Sequence, residues 1–147
     1  MYSFSEAKLE DLKGIALLRN KIKDSLTHDK EDIDPSNQIN WYLNVKKDCD
    51  KLYAFTNLKT KEVIGYGFIQ YIDNVPWLTG ALDPEFQGYG YGKQIFQSLI
   101  EKIRGTSSET PIFLDVLKSN YKAVNLYFKL GFKIISEQNE LYIMRLN

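Results

Sequence analysis

The chain has 147 residues, 44% apolar and 26% charged, a balance that fits one domain over residues 1–147 with a buried core. Lys plus Arg number 19 and Asp plus Glu number 19, so no bulk charge draws the protein to nucleic acid or an anionic membrane. A lone cysteine, Cys49, excludes an internal disulfide, and neither a leader pattern nor a membrane-length apolar run is present, so a reducing, cytoplasmic setting is expected.

Tyr2 to Ala7 reads as a first strand. Leu12, Ile15, Leu18 and Ile22 then recur at helical spacing, with Glu10 and Asp11 suited to the first turn. Asp34-Pro35 suggests an N-cap followed by proline at the first helical position, opening a second helix that carries Ile39, Tyr42 and Leu43 on one face. Leu52 to Asn57 and Val63 to Ile72 are strands joined by a polar turn, and Trp77 to Leu82 is a third in succession. A glycine-rich turn leads into a helix marked by Tyr91, Ile95, Leu99 and Ile103. Pro111 to Val116 is a strand, Tyr121 to Leu130 a short helix stopped by Gly131, and Phe132 to Glu137 with Leu141 to Arg145 a closing hairpin. The order β-α-α-β-β-β-α-β-α-β-β has more strands than crossover helices, which predicts an α/β fold with a mixed sheet and helices on both faces.

The most informative segment is Leu82-Asp83-Pro84-Glu85-Phe86-Gln87-Gly88-Tyr89-Gly90-Tyr91-Gly92-Lys93, between a strand and an amphipathic helix. Glycines allow a sharp turn and bring backbone N–H groups close to an anion, and the helix start favours phosphate through its free N–H groups and dipole. A plain helix-entry loop is the alternative reading of a glycine turn. A P-loop is excluded, because Gln87 stands where its first glycine belongs and Gln94 replaces its Ser/Thr. A dinucleotide fingerprint is excluded as well, because the glycines run G-x-G-x-G late in the chain.

Gln87-x-x-Gly90-x-Gly92 resembles the Q/R-x-x-G-x-G/A signature of the GNAT superfamily of N-acetyltransferases. Leu82-x-Pro84-Glu85-Phe86 is similar to that family's approach to the loop. Asn120-x-x-Ala123-x-Asn125-Leu126-Tyr127-x-x-Leu130-Gly131-Phe132 resembles a second family motif, one helix and one strand further on. The resemblance spans the whole element order. It implies the GNAT fold, with two central strands splayed to admit a pantetheine arm, and acetyl-CoA as co-substrate.

Position by position, the resemblance implies that backbone N–H groups of Gln87, Gly88, Tyr89, Gly90, Tyr91, Gly92 and Lys93 hold the pyrophosphate. The Leu82 backbone would pair with pantetheine and donate to the thioester oxygen, and Asn120 or Asn125 would hydrogen-bond the cofactor. Tyr127 would protonate the departing thiolate. The chemistry is consistent, since attack on a thioester develops an oxyanion that a placed N–H stabilises and a thiolate that a phenol can protonate. Periodicity alone would leave Tyr127 in the core beside Val124 and Leu130, and Asn120 as a helix N-cap.

The general base is less legible. Asp115 alternates with Leu114 and Val116 and so faces away from them, which makes it a candidate. Asp73 and Asp83 flank the strand leading into the loop; for all three a solvated or turn-forming carboxylate is the other reading. Trp41, Tyr66, Phe68, Tyr71 and Trp77 are candidates to line an acceptor pocket or to pack the core.

No metal is expected, because His28 lacks partners for a zinc site or a Ser-His-Asp triad. Cys49 lies in a charged run unsuited to a nucleophile. The expected activity is acetyl transfer from acetyl-CoA to a primary amine of a small molecule such as an amino sugar; Asn37-Gln38-x-x-Trp41-Tyr42 distantly resembles family members that act on such substrates. Acetylation of a protein N-terminus or lysine, and silent acyl-CoA sensing, are the alternatives. A homodimer is admitted; nucleic-acid and membrane partners are not expected.

Overall fold

A computed structural model describes residues 1–22 and 50–147. The strands are β1 (Tyr2–Glu6), β2 (Lys51–Asn57), β3 (Val63–Ile72), β4 (Val75–Leu82), β5 (Ile112–Leu117), β6 (Lys133–Gln138) and β7 (Leu141–Leu146). They form one seven-stranded sheet in the order β1-β2-β3-β4-β5-β7-β6. Only the β4–β5 pair is parallel. The helices described are α1 (Leu12–Ile22), α2 (Tyr91–Arg104) and α3 (Tyr121–Lys129). The helix expected after Asp34-Pro35 lies outside the described residues, as do His28, Trp41 and Cys49.

The mixed sheet with helices on both faces is as the strand count predicts. α1 buries Leu12, Ile15, Ala16, Leu18 and Ile22, most of them against Leu52, Ala54 and Tyr66 on one face. α2 buries Ile95, Phe96, Leu99 and Ile103, and α3 buries Val124 and Tyr127, against Leu114, Val116 and Met144 on the other. Spacings of three and four residues put these side chains on single helix faces. Gly80 of β4 lets α2 come close, because a Cβ there would meet the Phe96 ring at 2.6 Å.

Strand alternation divides β5 cleanly. Ile112, Leu114 and Val116 are buried toward α2 and α3, while Phe113, Asp115 and Leu117 are half-buried toward the α1 face. β4 starts two residues before the expected Trp77. Asp73 and Asn74, both at positive φ, close a tight hairpin that extends the ladder with β3 to Val75. Pro76 fits inside this strand because the residues flanking it carry the hydrogen bonds toward β3, so its missing N–H breaks none of them.

Candidate active site

β4 and β5 meet at a single ladder position, Trp77 opposite Phe113. Beyond it the two parallel strands part. The Asp83 N–H donates to the Ile64 carbonyl at 2.7 Å, on the β3 side. Backbone groups alternate along a strand, so those of Gly80 and Leu82 face the opening toward β5. A sheet interior with unspent donors and acceptors is suited to receive an extended polar arm.

The loop after β4 carries the second feature. Asp83 caps a one-turn 3-10 helix, Pro84–Phe86, by accepting from the Glu85 N–H at 3.0 Å. Gly88 and Gly90 follow at φ +91 and +83, in the left-handed region, with nothing within 4 Å of where a Cβ would stand. Gly90 is the N-cap of α2 and offers no side-chain cap. The first helical bond is Gln94 N–H to the Gly90 carbonyl, so among the described residues the N–H groups from Gly88 through Lys93 have no backbone acceptor. The first turn holds no acid. Gly92 is not at positive φ, and a Cβ there would make only ordinary contact with Leu126 at 3.7 Å. Packing therefore does not require glycine at this position, and its absent side chain leaves room beside the helix start. The same contact seats α3 beside the first turn of α2, so the two sequence motifs adjoin in space. These features fit the pyrophosphate and pantetheine of a coenzyme A ester, which Leu82 and Gln87 to Lys93 would hold.

On α3, Asn120 is the N-cap and its side-chain oxygen accepts from the Ala123 N–H at 3.3 Å, leaving its amide N–H₂. Asn125 is exposed. Tyr127 is 7% exposed. Its ring meets Phe96 edge-on at 4.9 Å and Phe132 at 6.1 Å. Burial, and secondarily the charge of Asp115, push its phenol far above the ordinary range. Among the described residues its hydroxyl has no hydrogen-bond partner. Tyr127 and Asp115 are thus electrostatic neighbours although they sit on different elements.

The other candidates separate by position. Asp73 is at the hairpin tip, beyond the far end of β4 and roughly 23 Å of strand from Leu82. Asp83 is buried and bound by Lys21, whose Nζ donates to both carboxylate oxygens at 2.9 and 3.0 Å. That pair ties the last turn of α1 to the loop and raises the Lys21 pKa, chiefly through the hydrogen bond. It escapes sequence reading because 62 residues separate its members. Tyr66 is core, buried between α1 and the sheet. Tyr71 is exposed at the hairpin end, where its N–H donates to Asp50. Trp77 stacks on Phe113 with centroids 5.3 Å apart.

Residues 15–132 match the family model described as "Acetyltransferase (GNAT) family". The chain is 31% identical over 110 residues to the [Ribosomal protein bS18]-alanine N-acetyltransferase of Haemophilus ducreyi, a match covering 74% of this chain and 68% of that one. A crystal structure of an N-acetyltransferase from Staphylococcus aureus Mu50 superposes with TM-score 0.86 at 17% identity, covering 100% of this chain and 98% of the other. The Salmonella typhimurium protein yncA, solved with its cofactor acetyl-CoA, superposes with TM-score 0.84 at 17% identity, covering 100% and 94%.

Proposed function

This chain belongs to the GNAT acetyltransferase family and is an acetyl-CoA-dependent N-acetyltransferase, and from that premise we propose how it works and on what. Acetyl-CoA supplies an acetyl group activated as a thioester. Asp115 accepts a proton from the ammonium group of the acceptor and so frees the attacking lone pair. The Leu82 N–H stabilises the oxyanion as the amine adds. Tyr127 gives its phenolic proton to sulfur as the C–S bond breaks, the proton then lost by the new amide restores the tyrosine, and Asp115 passes the ammonium proton to solvent. The α2 N-terminus from Gln87 to Lys93 anchors the cofactor, with Asn120 and Asn125 at its side. The transfer is direct, with no acetyl-enzyme.

The observation that supports this reading most is the opening between β4 and β5, with the unpartnered Tyr127 hydroxyl packed nearby on α3. A hydroxyl with no protein partner is open to a ligand. Tyr127 stays protonated throughout the working pH range, as a proton donor must.

The acceptor is a primary amine of a small molecule. A second reading, the α-amine of a protein N-terminus, is favoured by the named activity of the Haemophilus ducreyi relative. Thiol release measured across amino sugars, amino acids, polyamines and alanine-terminated peptides separates the two. Turnover of a small amine at higher kcat/KM than any peptide is expected. A peptide as best substrate selects the second reading, and tight acetyl-CoA binding without thiol release from any amine overturns both.

A further inference from the structure

Four side chains form a row across four adjacent strands. Trp77 of β4 is paired with Phe113 of β5, Phe113 with Arg145 of β7, and Arg145 with Lys133 of β6. Direct ladder partners point to the same face of a sheet. The row therefore lies on the α1 face, and Asp115 is the next side chain of β5 on that face. The row is two aromatics followed by two cations. The aromatic rings stack at an interplanar angle of 25°. The Arg145 guanidinium lies 5.7 Å from the Phe113 ring centre, within reach of a cation–π contact.

Two like charges directly opposite in a ladder repel. Among the described residues neither Lys133 nor Arg145 has a carboxylate partner, and the nearby Glu137 is engaged by Lys118 at 2.9 Å. Both cations are exposed and line a cavity of about 420 Å³ together with Ile135 and Asn147. An unneutralised pair facing a cavity is an anion site in its charge, its donors and its room.

Resting on the reading of Asp115 and Tyr127 above, we infer that Arg145 and Lys133 hold an anionic group on the acceptor, so that the substrate is a small amine bearing a carboxylate or a phosphate. Its body lies along the Trp77–Phe113 platform and its amine reaches Asp115. Asp115 is opposite Ile143, two residues from Arg145, which makes the carboxylate and the guanidinium diagonal neighbours with backbones roughly 7–8 Å apart. A molecule the size of an amino acid or a phosphorylated amino sugar spans that interval.

The test uses matched acceptors at saturating acetyl-CoA with thiol release as readout. Amino acids are compared with their amides, glucosamine 6-phosphate with glucosamine, and an acidic alanine-terminated tetrapeptide with a neutral one. The charged member of a small-molecule pair is expected to have kcat/KM higher by about tenfold or more, the usual scale of a charge-assisted hydrogen bond. The carboxylate and phosphate arms identify which anion is read. In Arg145→Gln and Lys133→Gln the ratio within each pair falls toward one, while Arg145→Lys keeps most of it and calorimetry shows unchanged acetyl-CoA affinity in all three. Equal or better turnover of the neutral members overturns the inference and leaves the N-acetyltransferase reading standing. So does a preference that survives the double Gln variant, or a neutral tetrapeptide as best acceptor. No thiol release with any amine overturns the reading of the site and the inference together.

Discussion

Tyr127, the proposed proton donor, is also a packing residue. Its ring fills a space bounded by Phe96 and Phe132, an arrangement a phenylalanine would satisfy equally. Its hydroxyl contributes nothing to that packing, since it has no partner among the described residues. Tyr127→Phe is therefore expected to leave the thermal midpoint unchanged, because the ring packing is kept. Acetyl-CoA affinity should hold, while kcat falls roughly a hundredfold if the phenol is the proton donor. The pH dependence follows from the same environment. Burial and the Asp115 charge both disfavour the phenolate, so Tyr127 titrates above the ordinary phenol value of about 10. kcat/KM should rise with pH as the acceptor amine loses its proton, then stay level through pH ~10. Wild-type turnover in the variant, or a descending limb near neutrality that the variant abolishes, would contradict this role. The helical period places Tyr127 in the core, and only the surrounding motif picks it out. Its electrostatic coupling to Asp115 depends on a strand and a helix packing together, which no local pattern encodes.

Among the elements, the loop into α2 was the most legible, because its signals are local. Positive φ at Gly88 and Gly90 and the uncapped start of α2 follow from glycine spacing within a few residues. The stop of α3 at Gly131, φ +101, and the Asn120 cap are equally local. The opening between β4 and β5 was not readable from the residues themselves and came only through resemblance, since it depends on where a ladder ends. The Lys21–Asp83 tie and the register joining Trp77, Phe113, Arg145 and Lys133 were missed for the same reason. The loop makes a specific prediction. Gly90→Val places a β-branched residue in the left-handed region, which costs on the order of 1–3 kcal/mol unless the turn moves. Either response misaligns the N–H groups from Gly88 to Lys93, so calorimetry should show acetyl-CoA affinity lowered tenfold or more. Gly90→Asn, a side chain that tolerates positive φ, should retain more of it. Equal affinity in the valine variant, with the fold intact, would remove the loop from cofactor binding.

Across the molecule, the sheet sets the division of labour. Its α2–α3 face presents the helix N-terminus and Tyr127, and its α1 face presents Asp115 and the aromatic-cationic row, with the opening between β4 and β5 joining the two. Among the described residues no helix is long and apolar enough to cross a membrane. On the proposed reading, an acetyl group delivered through the opening meets an amine arriving from the other face, so both substrates would be present at once and no side chain would carry the acetyl group between them. Cys49, the single thiol, lies in a charged run, and Cys49→Ala is expected to keep activity. Initial velocities with acetyl-CoA and the best amine of the panel varied together test this account most directly. Intersecting double-reciprocal lines, with intact mass unchanged when the enzyme meets acetyl-CoA alone, are the predicted result; parallel lines with an isolable acetyl-enzyme would contradict it.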